Sequence, residues 1–165
     1  MKSARFADIL RALATERVEF IVVGMTAGVL AGAPVTTLDV DIVHRRTPEN
    51  VTRLLKVLEH LGSTYRHDPR ELRPTSGNLM SPGHQLLTTD WGDLDCLGTI
   101  DDGQDYESLL PSTREIALAE GLTIRVLDLP RLIEVKRRAG RPKDLAQLPV
   151  LEATLEERNR RGDPT

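Results

Sequence analysis

The segment Leu38-Asp39-Val40-Asp41-Ile42 sets two carboxylates two residues apart in an alternating apolar frame. On an extended strand, residues i and i+2 project from one face, roughly 6.6–7 Å apart. Asp39 and Asp41 therefore point together, while Leu38, Val40 and Ile42 are expected to turn towards the core. Two adjacent carboxylates repel unless a cation or a proton lies between them. Magnesium favours oxygen ligands from one or two carboxylates, with substrate phosphates completing its shell. A third acid on a neighbouring strand would complete a two-metal site that holds attacking and leaving oxygens in line. Asp93 and Asp95, both in Gly92-Asp93-Leu94-Asp95-Cys96-Leu97, are able to supply it. Surface alternation also produces Asp-x-Asp. Asp is nevertheless disfavoured in strands, and here two occupy one short segment.

The elements that position these acids follow from local pattern. Phe6, Ile9, Leu10 and Leu13 fall at helical spacing, so residues 3–16 read as an amphipathic helix. Phe20 to Val23 is a buried strand stopped by Gly24, and residues 25–32 suit a short helix, whose first backbone N–H groups would cradle a phosphate. Leu38 to Val43 is a strand by its period of two. Thr47-Pro48-Glu49 opens a helix to about Leu61, stopped by Gly62. Residues 63–83, rich in Pro and Gly, read as a loop or loose hairpin. Strands follow at Gln85 to Thr89 and Asp93 to Leu97, then Arg114 to Leu118 and Leu122 to Leu127 across Glu120-Gly121. Asp128 caps a helix ended by Gly140, and a last helix starts near Pro142. Pro149 should kink or break that helix, and the polar tail after Glu157 should fray. The sum is an α+β fold, a mixed sheet with helices mainly on one face, in one domain over 1–158 with a polar tail over 159–165.

Composition narrows the function classes. A chain of 165 residues, 39% hydrophobic and 28% charged, supports one domain with a real core. Aromatics at 3% argue against a base-stacking reader of single strands. A net charge of −3 supplies no overall field towards nucleic acid or anionic membranes. Cys96 is the single cysteine, which excludes an internal disulfide and a multi-cysteine zinc site. It reads as core filler. Phe20 to Val35, the longest uncharged apolar segment, is broken by glycines and Pro34 and is too short for a membrane span. The first sixteen residues lack an apolar stretch of signal-peptide length, so the expectation is a cytoplasmic protein without membrane contact. The four histidines show no paired ligand spacing, and neither a P-loop nor a Gly-x-Gly-x-x-Gly motif occurs.

A buried strand ending in Gly24, a short helix, then Asp39-Val40-Asp41 resembles the core signature of the DNA polymerase β-like nucleotidyltransferase superfamily. Asp95 matches that family's third acid. Downstream, Ile133-Glu134-Val135-Lys136-Arg137-Arg138-Ala139 and Arg141-Pro142-Lys143-Asp144-Leu145-Ala146-Gln147-Leu148 are similar to the last two motifs of its AbiEii-like and MenT-like branch, found mostly in toxin–antitoxin and phage-defence systems. The resemblance touches residues 20–43, 86–98 and 128–148, with order and spacing agreeing. It implies a minimal nucleotidyltransferase fold and an enzyme with Mg2+ or Mn2+ on Asp39, Asp41 and Asp95. A nucleoside triphosphate, ATP among the candidates, would be held by Gly24, Met25, Thr26, Lys136 and Lys143. Lys136 is implied to stabilise triphosphate charge, and Asp144 to orient Lys136 or a nearby arginine; by themselves, Lys143 and Asp144 are ordinary helix-start residues.

The activity implied is Mg2+-dependent transfer of a nucleoside monophosphate to an acceptor hydroxyl, on an RNA or tRNA end, a protein or a small molecule. A cognate toxin or antitoxin would be its partner. Met25 stands where the family has a second Gly or Ser, and Gln147 where the last motif usually has Asp. These departures motivate an alternative: a nucleotidyltransferase-fold binding module, antitoxin-like or nucleotide-sensing, without turnover. The basic cluster Arg137, Arg138, Arg141 and Lys143 reads first as solvated surface, with phosphate or RNA contact as the lesser reading.

Overall fold

The computed structural model describes residues 4–119 and 121–165. Ser3 of the predicted first helix and Glu120 of the predicted hairpin turn lie outside the described residues. Helix α1 spans Phe6–Thr15 and buries Ile9, Leu10 and Leu13. Strand β1 (Phe20–Val23) runs directly into α2 (Gly24–Leu30). Strand β2 covers Asp39–His44, and α3 covers Pro48–His60, where the Thr47 hydroxyl accepts from the Asn50 N–H at the predicted cap. Then come β3 (Thr64–Tyr65), α4 (Ser76–Met80), β4 (His84–Thr89) and β5 (Gly92–Leu97). A short α5 (Tyr106–Leu109) and a 3-10 turn lead to β6 (Thr113–Ala119) and β7 (Leu122–Leu127). Helices α6 (Leu129–Ala139) and α7 (Pro142–Arg161) close the chain.

The seven strands form one mixed sheet in the order β3-β4-β5-β2-β1-β7-β6. Strands β2 and β5 are parallel, as are β1 and β7; the other pairs are antiparallel. This is the α+β architecture expected. Val40, Ile42, Leu94 and Cys96 share one sheet face and are fully buried with the core residues of α1 and α3. His44 continues that face, and its Nε2 donates to the Leu79 carbonyl of α4 at 2.7 Å. Burial also pushes the Cys96 thiol well above its ordinary pKa, in keeping with core filler. Helices α2, α6 and α7 pack together: a Cβ on Gly28 would meet Leu132 of α6 and Leu151 of α7. Among the described residues no helix is long and apolar enough to cross a membrane.

Four expectations are corrected. Leu38 does not enter the core: it is 87% exposed. The ladder begins only at Asp39, whose carbonyl accepts from the hydroxyls of Thr26 and Thr37 at 2.8 and 3.0 Å, so the chain bends just before it. The segment 63–83 contains an edge strand and a helix, α4, closed by a reciprocal capping box between Thr75 and Asn78. Pro149 does not end α7, which continues to Arg161. Its side is exposed, so the carbonyl that loses a backbone donor can be satisfied by water. The chain beyond Glu157 is tied down as well, because Arg158 donates to the Ala31 carbonyl at 2.9 Å.

Helix α6 starts where the Asp128 carboxylate accepts from the Arg131 N–H at 2.9 Å. Removing that acceptor strands a helix-end donor, so Asp128→Ala should lower stability by about 1 kcal/mol. The urea midpoint measures it, and an unchanged midpoint would show that the cap contributes nothing.

Candidate metal centre

Strands β2 and β5 run parallel and in register, with Asp39 beside Asp93 and Asp41 beside Asp95. Parallel neighbours in register present their side chains on the same face, so all four acids project from one side of the sheet. Asp39, Asp41 and Asp95 converge: each offers a carboxylate oxygen within 4.8 Å of the others. Of the two candidates for third acid, Asp95 therefore joins the pair. Asp93 is not part of that convergence; its Oδ2 lies 3.1 Å from Arg66 Nε.

Gly24 makes this convergence possible. It has φ +61°, and a Cβ there would fall 2.2 Å from Asp41 Oδ2. Only a residue without a side chain lets the bend after β1 approach that carboxylate. Met25 is buried in the core beside Gly28. Thr26 is buried too, and its hydroxyl donates to the Asp39 carbonyl, which ties α2 to the head of β2.

Crowded carboxylates under partial burial hold protons tightly. Asp41 is pushed up to about 7, first by burial, then by the charges of Asp39 and Asp95, with Lys136 opposing. Asp95 is raised by burial, Arg66 pulls it back, and the negative charge of Asp39 pushes it up again. A proton on Asp41 relieves the repulsion among the three acids. A divalent cation would replace that proton. The donor set fits one: hard oxygen atoms, converging on one point, beside a bend that no side chain fills.

This shift has a sign that can be measured. Asp41 binds its proton more tightly folded than unfolded, so its contribution to stability is complete below pH 4 and lost as pH rises towards 7. The loss is on the order of a few kcal/mol. Without divalent ions, wild type should therefore lose stability relative to Asp41→Asn between about pH 4.5 and 7.5. Parallel melting curves for the two proteins would contradict the assignment.

Lys136 and Asp144 come together from α6 and α7, with Nζ 3.3 Å from Oδ1. Asp144 is only 1% exposed and also accepts from Arg141 Nε at 2.6 Å. Burial acts to raise it, but Arg141 and Lys136 prevail and hold it below the usual carboxylate range. The two downstream motifs thus meet in space, and the Lys136 charge reaches Asp41. Lys143 is exposed on the first turn of α7 and makes no ion pair among the described residues. The rest of the basic cluster is largely paired: Arg137 with Glu152, Arg138 with Glu134 and Asp101. Gln147, one turn beyond Asp144, buries its Oε1 without a hydrogen-bond partner among the described residues.

Arg66 is the residue the sequence did not reveal. It lies in the segment read as loop, and reaches the acids only because β3 pairs onto the edge of β4. No spacing rule connects it to Asp93 and Asp95.

The chain is similar to a solved crystal structure from Thermotoga maritima described as a "putative nucleotidyltransferase", with a TM-score of 0.55 and 21% identity over 93% of this chain and 91% of that chain. No protein-family model matches the sequence, and no curated protein does. The fold is nucleotidyltransferase-like, and three acids on it converge where a metal ion could bind.

Proposed function

We propose that this chain is a Mg2+-dependent nucleotidyltransferase that moves a nucleoside monophosphate from a nucleoside triphosphate to an acceptor hydroxyl. The observation that carries the reading is the convergence of Asp39, Asp41 and Asp95 against the Gly24 bend. Those three residues would hold Mg2+, which supplies charge neutralisation for the triphosphate and the departing pyrophosphate. Lys136, steadied by Asp144, adds a positive charge on the α6 side of the centre. Asp95, whose carboxyl burial raises against the pull of Arg66, would accept the proton of the acceptor hydroxyl. That oxygen forms a bond to the α-phosphorus as the bond to pyrophosphate breaks. Positioning and preorganised charge supply most of the acceleration.

The meeting of Lys136 with Asp144 supports the AbiEii-like and MenT-like branch, and with it a setting beside a cognate toxin or antitoxin. The test is incubation with each labelled triphosphate and Mg2+, once with RNA and once with the product of a neighbouring gene. Label on either names the acceptor; no transfer under any combination removes the enzymatic reading.

A second reading, a nucleotide-binding module without turnover, is favoured by the residues after Gly24. Met25 points into the core, and the Thr26 hydroxyl donates to the backbone. Neither side chain presents a free donor to a phosphate. Calorimetry with Mg2+ and triphosphate separates the two: tight binding without transfer supports the module.

A further inference from the structure

Helix α6 carries charged groups on opposite sides. Arg131, Glu134 and Arg138 fall at helical spacing along one face, and Glu134 joins the two arginines, accepting from each at 2.7 Å. Lys136, two positions from Glu134, stands about 200° round the helix, on the side of Asp144. The first face is held by a loop. Asp101, four residues beyond the end of β5, places its Oδ2 3.1 Å from Arg131 Nη2 and 3.4 Å from Arg138 Nη1. That side chain is only 3% exposed, so its charge is taken out of water and matched by two guanidinium groups.

The loop that delivers this carboxylate has little freedom. Ile100 and Gln104 exchange backbone hydrogen bonds at 2.9 and 2.7 Å. Between them Asp101, Asp102 and Gly103 all take positive φ, at +44°, +60° and +86°. Aspartate enters that region more readily than most residues, yet two in succession persist only where surrounding contacts fix them. At the start of the loop the Gly98 N–H donates to the Gly83 carbonyl at 2.9 Å, and a Cβ on Gly98 would fall 2.3 Å from the Ser81 carbonyl oxygen. The strand bearing Asp95 thus continues into a fixed loop whose tip grips the helix bearing Lys136. We infer that Asp101 is a positioning residue for Lys136: by clamping Arg131 and Arg138 to the exit of β5, it sets where the Lys136 ammonium stands relative to Asp39, Asp41 and Asp95. The inference rests on the proposed role of Lys136 towards the triphosphate and adds what places it.

Calorimetry with Mn2+ and inorganic tripolyphosphate reads the grip on phosphate without turnover and without a choice of base, and Mn2+ alone reads the acid cluster. Wild type should bind both. Asp101→Asn should lower tripolyphosphate affinity roughly tenfold while Mn2+ affinity holds within about twofold. The direction is diagnostic, because removing a negative charge would by itself favour a polyanion. Asp101→Glu, which keeps the charge and moves it by one methylene, should fold like wild type and show a smaller fall of the same kind. In a Lys136→Met background Asp101→Asn should have no further effect, since a residue that acts through the amine loses its influence once the amine is gone. Asp102→Gly keeps the clamp and should bind tripolyphosphate like wild type. Affinity in Asp101→Asn equal to or above wild type, or an equal loss with and without Lys136, overturns the inference and leaves the metal centre standing. If wild type binds Mn2+ but no tripolyphosphate, the role of Lys136 falls and the inference with it.

Discussion

Asp41→Asn is expected to lower nucleotide transfer about a hundredfold or more, on the order of 3 kcal/mol of barrier. Asparagine keeps the shape of the side chain and removes the charge that would hold the ion. Asp41 is the acid under most strain in the cluster, pushed up by burial and by both neighbours. At neutral pH without divalent ions the variant should therefore melt no lower than wild type. Adding Mg2+ should raise the melting temperature of wild type and leave that of Asp41→Asn unchanged, because binding to the native state alone is what stabilises it. Activity falling while stability holds or rises is the signature of a functional charge. Activity equal to wild type would defeat the assignment of Asp41.

Gly24→Ala has the second large effect, and it acts through geometry. At φ +61° any residue with a Cβ carries a left-handed strain of roughly 1–2 kcal/mol. Here the new Cβ would also sit 2.2 Å from Asp41 Oδ2, so the carboxylate must swing out of the cluster. Both stability and ion affinity should drop, with transfer falling about as far as in Asp41→Asn. Gly32 provides the comparison: it also has positive φ, but a Cβ there meets nothing within 4 Å. Gly32→Ala should lose stability while keeping its Mg2+-dependent melting shift. If Gly24→Ala behaves like Gly32→Ala, the bend and the acid pair are independent.

These two residues were legible because their signals are local. A buried β-branched run stopped by glycine, and acids alternating with Val40 and Ile42, carry their geometry within a few positions. The same holds for α3 and α6, whose starts are written in Thr47-Pro48 and Asp128-Leu129-Pro130. What stayed hidden depends on pairing between distant segments. Leu38 fits the alternation, yet two hydroxyls on the Asp39 carbonyl end the strand before it. Strand β3 has two residues and exists only as an addition to β4, so neither it nor Arg66 announces itself. The choice between Asp93 and Asp95 likewise needed the β2–β5 register and the convergence of carboxylate oxygens across it.

The in-register parallel pairing of β2 with β5 also governs which changes of chain length the protein tolerates. Between the two strands lie some fifty positions of helix, edge strand and turn, where added or lost residues at an exposed loop tip leave the acids undisturbed. One residue inserted inside β5 ahead of Asp95 would turn its carboxylate to the opposite side of the sheet, among Val40 and Ile42. Two inserted residues would restore the side but carry the group roughly 7 Å along the strand. Among descendants of this gene, insertions and deletions should accumulate in the connecting loops and be purged from the six residues of β5.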